Sequence, residues 1–262
     1  MSHPFPFQVD AFGCALQLSS SCASGQEVLE RYVFPALPRA SRWTGTPDLS
    51  IGIEDGGEGF QLSAGNTAVA SAEGAADLVP ELIRLIDEAV LRSLRGLYAV
   101  HAGVVQVGDE AVLLPGMTHA GKSALVATLL ERGATYFSDE YALIDMQGQV
   151  HPYPRPLLVR SGTAEQAPKL AEEFGARTGT AAARLGWILA LAYRPQEGWR
   201  VHPVPQSAGV LLLLENTPHV LAETPKLLGV FRNAVSGARC WQGYRGDAAE
   251  AAGEVLRLVQ GG

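Results

Sequence analysis

Gly116-Met117-Thr118-His119-Ala120-Gly121-Lys122-Ser123 fits G-x-x-x-x-G-K-[ST], the pattern of a phosphate-binding P-loop (Walker A). The flanking residues fit it too. Ala111-Val112-Leu113-Leu114-Pro115 predicts a short buried strand, and Ser123–Arg132 places apolar residues at helical spacing, with Gly133 as a stop. Phosphate binding needs this succession of strand, glycine loop and helix. Backbone N–H groups at the helix start surround the anion, and the helix dipole adds positive potential there. In such a loop Lys122 reaches the β- and γ-phosphates and the Ser123 hydroxyl ligates Mg²⁺. Lysine occurs only at 122, 169 and 226, which makes a lysine at this position harder to attribute to chance. The alternative reading is a glycine turn that opens an ordinary helix.

Composition narrows the rest. The chain has 262 residues, 47% of them hydrophobic and 18% charged, enough to bury a sizeable core and too apolar for wholesale disorder. The net charge of −7 argues against a generic nucleic-acid binder, so no nucleic-acid substrate is expected. The apolar run Gly209–Leu214 is far shorter than a membrane span and predicts a buried strand. The opening residues, MSHPFPFQVD, lack a basic start followed by an apolar stretch, and the three cysteines (Cys14, Cys22, Cys240) cannot all pair. A cytoplasmic protein with reduced thiols and no membrane partner is the expectation.

Two regions are expected. Residues 1–75 read as a small β-rich N-terminal region, with strand patterns in Phe5–Ser19, Asp48–Glu54 and Phe60–Leu62, and turn chemistry at Asp55–Gly59. Residues 76–262 read as an α/β core that begins with an amphipathic helix over Asp77–Arg95. Leu82, Ile83, Ile86, Val90, Leu91 and Leu94 share one face of it, and Pro80 lies in its first turn. Hairpins are predicted for Val100–Leu114 around Gly108-Asp109-Glu110 and for Ala142–His151 around Gln147-Gly148. Ala134–Phe137, Trp187–Tyr193, Val201–Val204 and Val210–Leu214 read as strands, residues 161 to 186 as loop with a short helix, and Asp247–Val259 as a closing helix.

The run from His101 to Asp145 resembles the catalytic core of HPr kinase/phosphorylase-like proteins, compact stand-alone members in particular. The matching pieces are His101-Ala102-Gly103, then Gly116–Ser123, then Ser138-Asp139-Glu140, with Tyr153-Pro154-Arg155-Pro156-Leu157 similar to a Pro-basic-Pro step beyond the acidic strand. The chain departs from the family pattern in Thr118-His119-Ala120, in Glu140 where Asp is usual, and in lacking the long signature of the bifunctional regulators. The resemblance implies a P-loop kinase core of HPr-kinase/PEP-carboxykinase-like type, a mixed sheet flanked by helices. It also implies ATP and Mg²⁺ as cofactors and a γ-phosphate moved to a hydroxyl of a peptide or small molecule. Some compact relatives phosphorylate ribosomally made peptides, lasso peptides among them. Relatives also assemble, so a homo-oligomer is possible.

Within that resemblance Asp139 is the expected base and Glu140 a Mg²⁺ ligand beside Ser123, since oxygen donors suit that ion. His101 is expected near the transferred phosphate, where it neutralises developing charge. Gly116, Met117, Thr118, His119, Ala120, Gly121, Lys122 and Ser123 hold the nucleotide phosphates. Arg155 is expected to join them, since guanidinium forks match phosphate oxygens, with Arg160 and Arg194 weaker candidates. The bland readings stay open: a solvated strand-end acid, a structural histidine, surface arginines. Trp187, Trp199 and Trp241 read as core or interface fillers. A P-loop ATPase, a nucleotide-binding regulator and a non-catalytic peptide-binding module are the other functional readings.

Overall fold

The computed structural model describes residues 6–37, 45–116, 121–160, 166–218 and 224–261. Met117, Thr118, His119 and Ala120 lie outside them. The chain divides into two compact units, Met1–Arg95 with Arg160–Pro168, and Gly96–Val159 with Lys169–Gly262.

The first unit holds β1 (Phe7–Ala11), β2 (Cys14–Ser20), α1 (Ala23–Val28) with a π-helical turn over Leu29–Val33, β3 (Leu49–Asp55), β4 (Phe60–Ala64), β5 (Thr67–Ala72) and α2 (Val79–Ser93). Its sheet runs in sequence order, β1 to β5. Phe12 and Gly13, both at positive φ (55° and 85°), make the two-residue turn between β1 and β2, and Asp10 Oδ1 accepts the Gly13 N–H at 2.9 Å. In α2 the predicted face is the buried one at Leu82, Ile83, Ile86 and Val90. The units part after Arg95 rather than after residue 75. The reason is packing: α2 lies on β2, and the 3-10 turn Ala75–Leu78 before it lies on β4 and β5, so the helix closes the N-terminal unit.

The second unit contains β6 (Leu97–Val107), β7 (Glu110–Pro115), α3 (Lys122–Glu131), β8 (Thr135–Ser138), β9 (Tyr141–Asp145), β10 (Gln149–His151), β11 (Leu157–Arg160), β12 (Gln166–Lys169), β13 (Ala183–Tyr193), β14 (Arg200–Val204), α4 (Gln206–Glu215), α5 (Thr224–Val235), β15 (Arg239–Arg245) and α6 (Ala248–Gly261). The bounds of β11 and β12 cross the division between units, and both strands lie outside the main sheet. That sheet is mixed, in the order β10-β9-β6-β7-β13-β15-β14, with β8 also on β6. β13 runs parallel to β7 and β15, and the remaining pairs are antiparallel.

Alternation along the central strands builds two cores, one on each face. Val100, Ala102 and Val104 of β6, with Ala111 and Leu113 of β7, meet α4 and α5 through Leu213, Leu227 and Phe231. Val105, Val112 and Leu114 face the other way and join Leu125, Val126 and Leu129 of α3 and Ala251, Ala252 and Val255 of α6. Trp187 lies in this second core, and Trp199 and Trp241 pack against it.

Several expectations need correction. Val210–Leu214 is not a strand but part of α4, whose N-cap Pro205 is extended (ψ 155°). A short apolar run has no decisive period, and four consecutive leucines favour a helix once the chain enters one. In the 161–186 stretch, the described residues hold β12, a 3-10 turn at Ala171–Phe174 and the start of β13. β5, α1, α5 and β15 have no counterpart among the elements the sequence pattern predicts.

Gly103 lets α3 settle on β6: a Cβ there would lie 2.7 Å from Val126 Cγ2. Overpacking of this kind costs about 1–3 kcal/mol. Gly103→Val should therefore lower the calorimetric Tm by several degrees, with part of the loss recovered by adding Val126→Ala. An unchanged Tm in the single variant would show that the contact does not constrain α3.

Candidate functional site

β7 delivers the chain to Gly116, whose N–H donates to the His101 carbonyl at 3.2 Å. The chain is next described at Gly121, the N-cap of α3, in a left-handed conformation (φ 74°, ψ 20°) that favours glycine. A Cβ on Gly121 would also meet Arg245 Nη2 at 2.6 Å. Lys122 and Ser123 thus begin the helix, where N–H groups lack intrahelical partners.

Opposite them, β8 and β9 run beside β6 as one interrupted strand: Val104 pairs with Ser138, and His101 with Tyr141. Asp139 and Glu140 occupy the interruption. The Ser138 hydroxyl accepts the N–H groups of Glu140 (3.3 Å) and Tyr141 (3.1 Å), a local turn that competes with the ladder and re-aims both acids.

Two groups of contacts result. In the first, Ser123 Oγ donates to Asp139 Oδ2 at 2.7 Å, while Asp139 Oδ1 lies 3.1 Å from the Tyr136 hydroxyl and 3.3 Å from Arg155 Nε. The Tyr136 hydroxyl is also 2.9 Å from the Arg155 carbonyl. Burial, reinforced by the Asp139 charge, pushes the Tyr136 phenol well above its ordinary value, so it remains a protonated donor. In the second group, Glu140 Oε1 lies 3.4 Å from His101 Nδ1 and Oε2 3.6 Å from Lys122 Nζ. Burial pushes the Glu140 carboxyl up, but hydrogen bonding to His101 and the charges of Lys122 and Arg155 outweigh it and leave it below its usual value. The His101 ring also lies against Tyr141, with centroids 4.6 Å apart.

The structure therefore brings together His101, Gly116, Gly121, Lys122, Ser123, Asp139, Glu140 and Arg155. Met117, Thr118, His119 and Ala120 lie outside the described residues, as does the side chain of Arg160. Arg194 does not join the cluster: it stacks on Tyr244 and pairs with Glu197. Cys240 is buried, and that burial raises its thiol pKa, which suits a core residue rather than a nucleophile. Sequence reading missed Tyr136 and Arg245. The Arg245 guanidinium reaches the Gly121 carbonyl at 2.8 Å across 124 residues of chain, and no local pattern signals that.

Among the described residues no group of three or more His, Cys, Asp or Glu is arranged to hold a metal ion, and no helix is long and apolar enough to cross a membrane. Ser123 and Asp139 nevertheless offer adjacent oxygen donors. That set fits Mg²⁺, which takes one or two protein oxygens and completes its octahedron with phosphate and water.

No protein-family model matches the chain, and no curated protein matches it significantly. Among solved structures, the HPr(Ser) kinase/phosphatase from Coxiella burnetii is similar over 62% of this chain and 88% of that one, at 13% identity and a TM-score of 0.33. A likeness of that score carries no weight for function.

Because the folded-state Glu140 carboxyl is depressed, its contribution to stability is fully present above the usual glutamate value of 4.5 and is lost as pH falls through the lower folded value. Denaturant titrations should find the wild type more stable than Glu140→Gln at neutral pH, with the gap closing in acid. A gap independent of pH would contradict the pairing with His101 and Lys122.

Proposed function

We propose that the chain is an ATP- and Mg²⁺-dependent kinase that transfers the γ-phosphate to a hydroxyl of a peptide or small molecule. The supporting observation is the meeting of Lys122 and Ser123, at the start of α3, with Asp139, Glu140 and His101 across the interrupted strand. A merely structural glycine turn has no need of a buried lysine and a buried aspartate at its mouth.

The geometry favours moving the Mg²⁺-ligand role from Glu140 to Asp139 and the base role from Asp139 to His101. Asp139 is 1% exposed, with one oxygen on Ser123 and the other facing Tyr136 and Arg155. On this reading it would hold Mg²⁺ with Ser123 rather than meet a substrate. Glu140 is more open and faces the His101 imidazole. On this reading the carboxylate lies close enough to balance the charge that the imidazole gains on protonation.

Bound ATP with Mg²⁺ supplies the transferable phosphoryl group and spreads the charge of its β- and γ-oxygens. The residues of the chain bind and orient around it. Lys122 and the first N–H groups of α3 would bind the phosphates, Ser123 and Asp139 would hold the cation, and His101 would take the acceptor hydroxyl's proton. As the acceptor oxygen bonds to phosphorus, the bond to the diphosphate breaks and ADP leaves.

Two measurements test this reading. In thermal-shift titrations, ATP·Mg²⁺ at a hundred times Kd should stabilise the wild type by about 2.7 kcal/mol, and Lys122→Ala should lose the shift. No shift in a folded wild type sinks the nucleotide site. In a transfer assay, Asp139→Asn should raise the Mg²⁺ concentration needed for half-maximal rate. His101→Gln should instead cut kcat roughly 10²–10⁴-fold at an unchanged Mg²⁺ requirement. The reverse pattern would restore Asp139 as the base, and phosphate released only to water would make the protein a hydrolase.

A further inference from the structure

The transferring end of the site lies at His101, Asp139 and Glu140, beside β6, β8 and β9, all on one side of β7 in the sheet order. On the nucleotide reading, a nucleoside directed away from the transferring end runs toward β13 and β15. Those strands run parallel to β7, so their C-terminal ends share its end of the sheet.

Those ends carry an unusual pair. Tyr193 and Arg245 are directly opposed at the last rung of the β13–β15 ladder. Arg245 is 3% exposed and donates to the carbonyls of Gly121 (2.8 Å) and Gly246 (3.0 Å). Its Cζ sits 5.1 Å from the centre of the Tyr193 ring. Tyr193 is 51% exposed, and among the described residues it is the one large aromatic side chain left so open. A cation held against an aromatic ring restrains it, and a restrained, half-open ring is what a flat heterocycle stacks on.

Resting on the nucleotide reading of the P-loop, we propose that Tyr193 is the stacking platform for a nucleobase, and that Arg245 is a positioning residue that ties this platform to Gly121 of the phosphate loop. The ligand class is then a nucleoside triphosphate rather than a base-less polyphosphate. No base-specific hydrogen bond is required, so purine nucleotides, with the larger stacking face, should bind better than pyrimidine nucleotides.

The test is calorimetric titration of the full chain with ATP·Mg²⁺ and, separately, with tripolyphosphate·Mg²⁺. Tyr193→Ala should weaken ATP about tenfold and leave tripolyphosphate unchanged, while Tyr193→Phe, which keeps the ring, should bind ATP like the wild type. Lys122→Ala should weaken both ligands. Arg245→Gln should lower the ratio of ATP to tripolyphosphate affinity; a general loosening of the loop would weaken both ligands and leave that ratio unmoved. If Tyr193→Ala weakens both ligands equally, or neither, the platform is refuted while the phosphate site stands. If the wild type binds tripolyphosphate but not ATP, the platform is likewise refuted. If it binds neither, the nucleotide reading itself falls, and the platform with it.

Discussion

The Ser123–Asp139 hydrogen bond is the contact on which the site depends, because it joins two segments with different reasons for their shape. α3 starts where a left-handed glycine permits it, and the acidic strand breaks where Ser138 captures two backbone N–H groups. Neither feature alone makes a site. A buried carboxylate at 1% exposure is tolerated only with partners around it: Ser123 and Tyr136 donate hydrogen bonds and the Arg155 guanidinium supplies a nearby positive charge. The desolvation that makes Asp139 costly thereby fixes where α3 begins relative to β8.

The two-faced core explains how these segments stay in register. The side chains of β6 alternate between the layer of α4 and α5 and the layer of α3 and α6, and a one-residue slip would exchange the two sets. His101 sits mid-way along the same strand whose next inward-facing residues, Gly103 and Val105, meet α3 and the core around it. Helix and histidine therefore share one rigid element. Lys122 and His101 are thus placed by packed elements, and Glu140, on the short turn between β8 and β9, lies between them.

Much of this was legible from local chemistry. Gly116, Gly121, Lys122 and Ser123 lie within eight consecutive residues, and the flanking strand and helix declare themselves by composition and spacing. His101 and the Asp139-Glu140 pair were found only by resemblance, since a histidine on a strand and two acids after one carry no signal of their own. Which of the two carboxylates is enclosed was not legible at all, because that depends on the partners Ser123, Tyr136 and Lys122. Tyr136 reads as an ordinary strand aromatic until its hydroxyl is placed beside Asp139. Val210–Leu214 failed for a different reason: four leucines fit a buried strand and a buried helix equally, and the packing partners that decide lie on α5 and β15, neither of which the pattern revealed.

Arg245 shows what long-range pairing adds. A guanidinium at 3% exposure is expensive, and burial alone lowers its pKa. Its hydrogen bonds go to backbone carbonyls, which satisfy donors without cancelling charge. The nearby Asp247 charge and the Tyr193 ring offset part of the cost, and the guanidinium lies against Gly121, where the dipole of α3 is positive. The same guanidinium lies 5.1 Å from the centre of the Tyr193 ring, so one side chain joins the start of α3 to the ends of the two parallel strands.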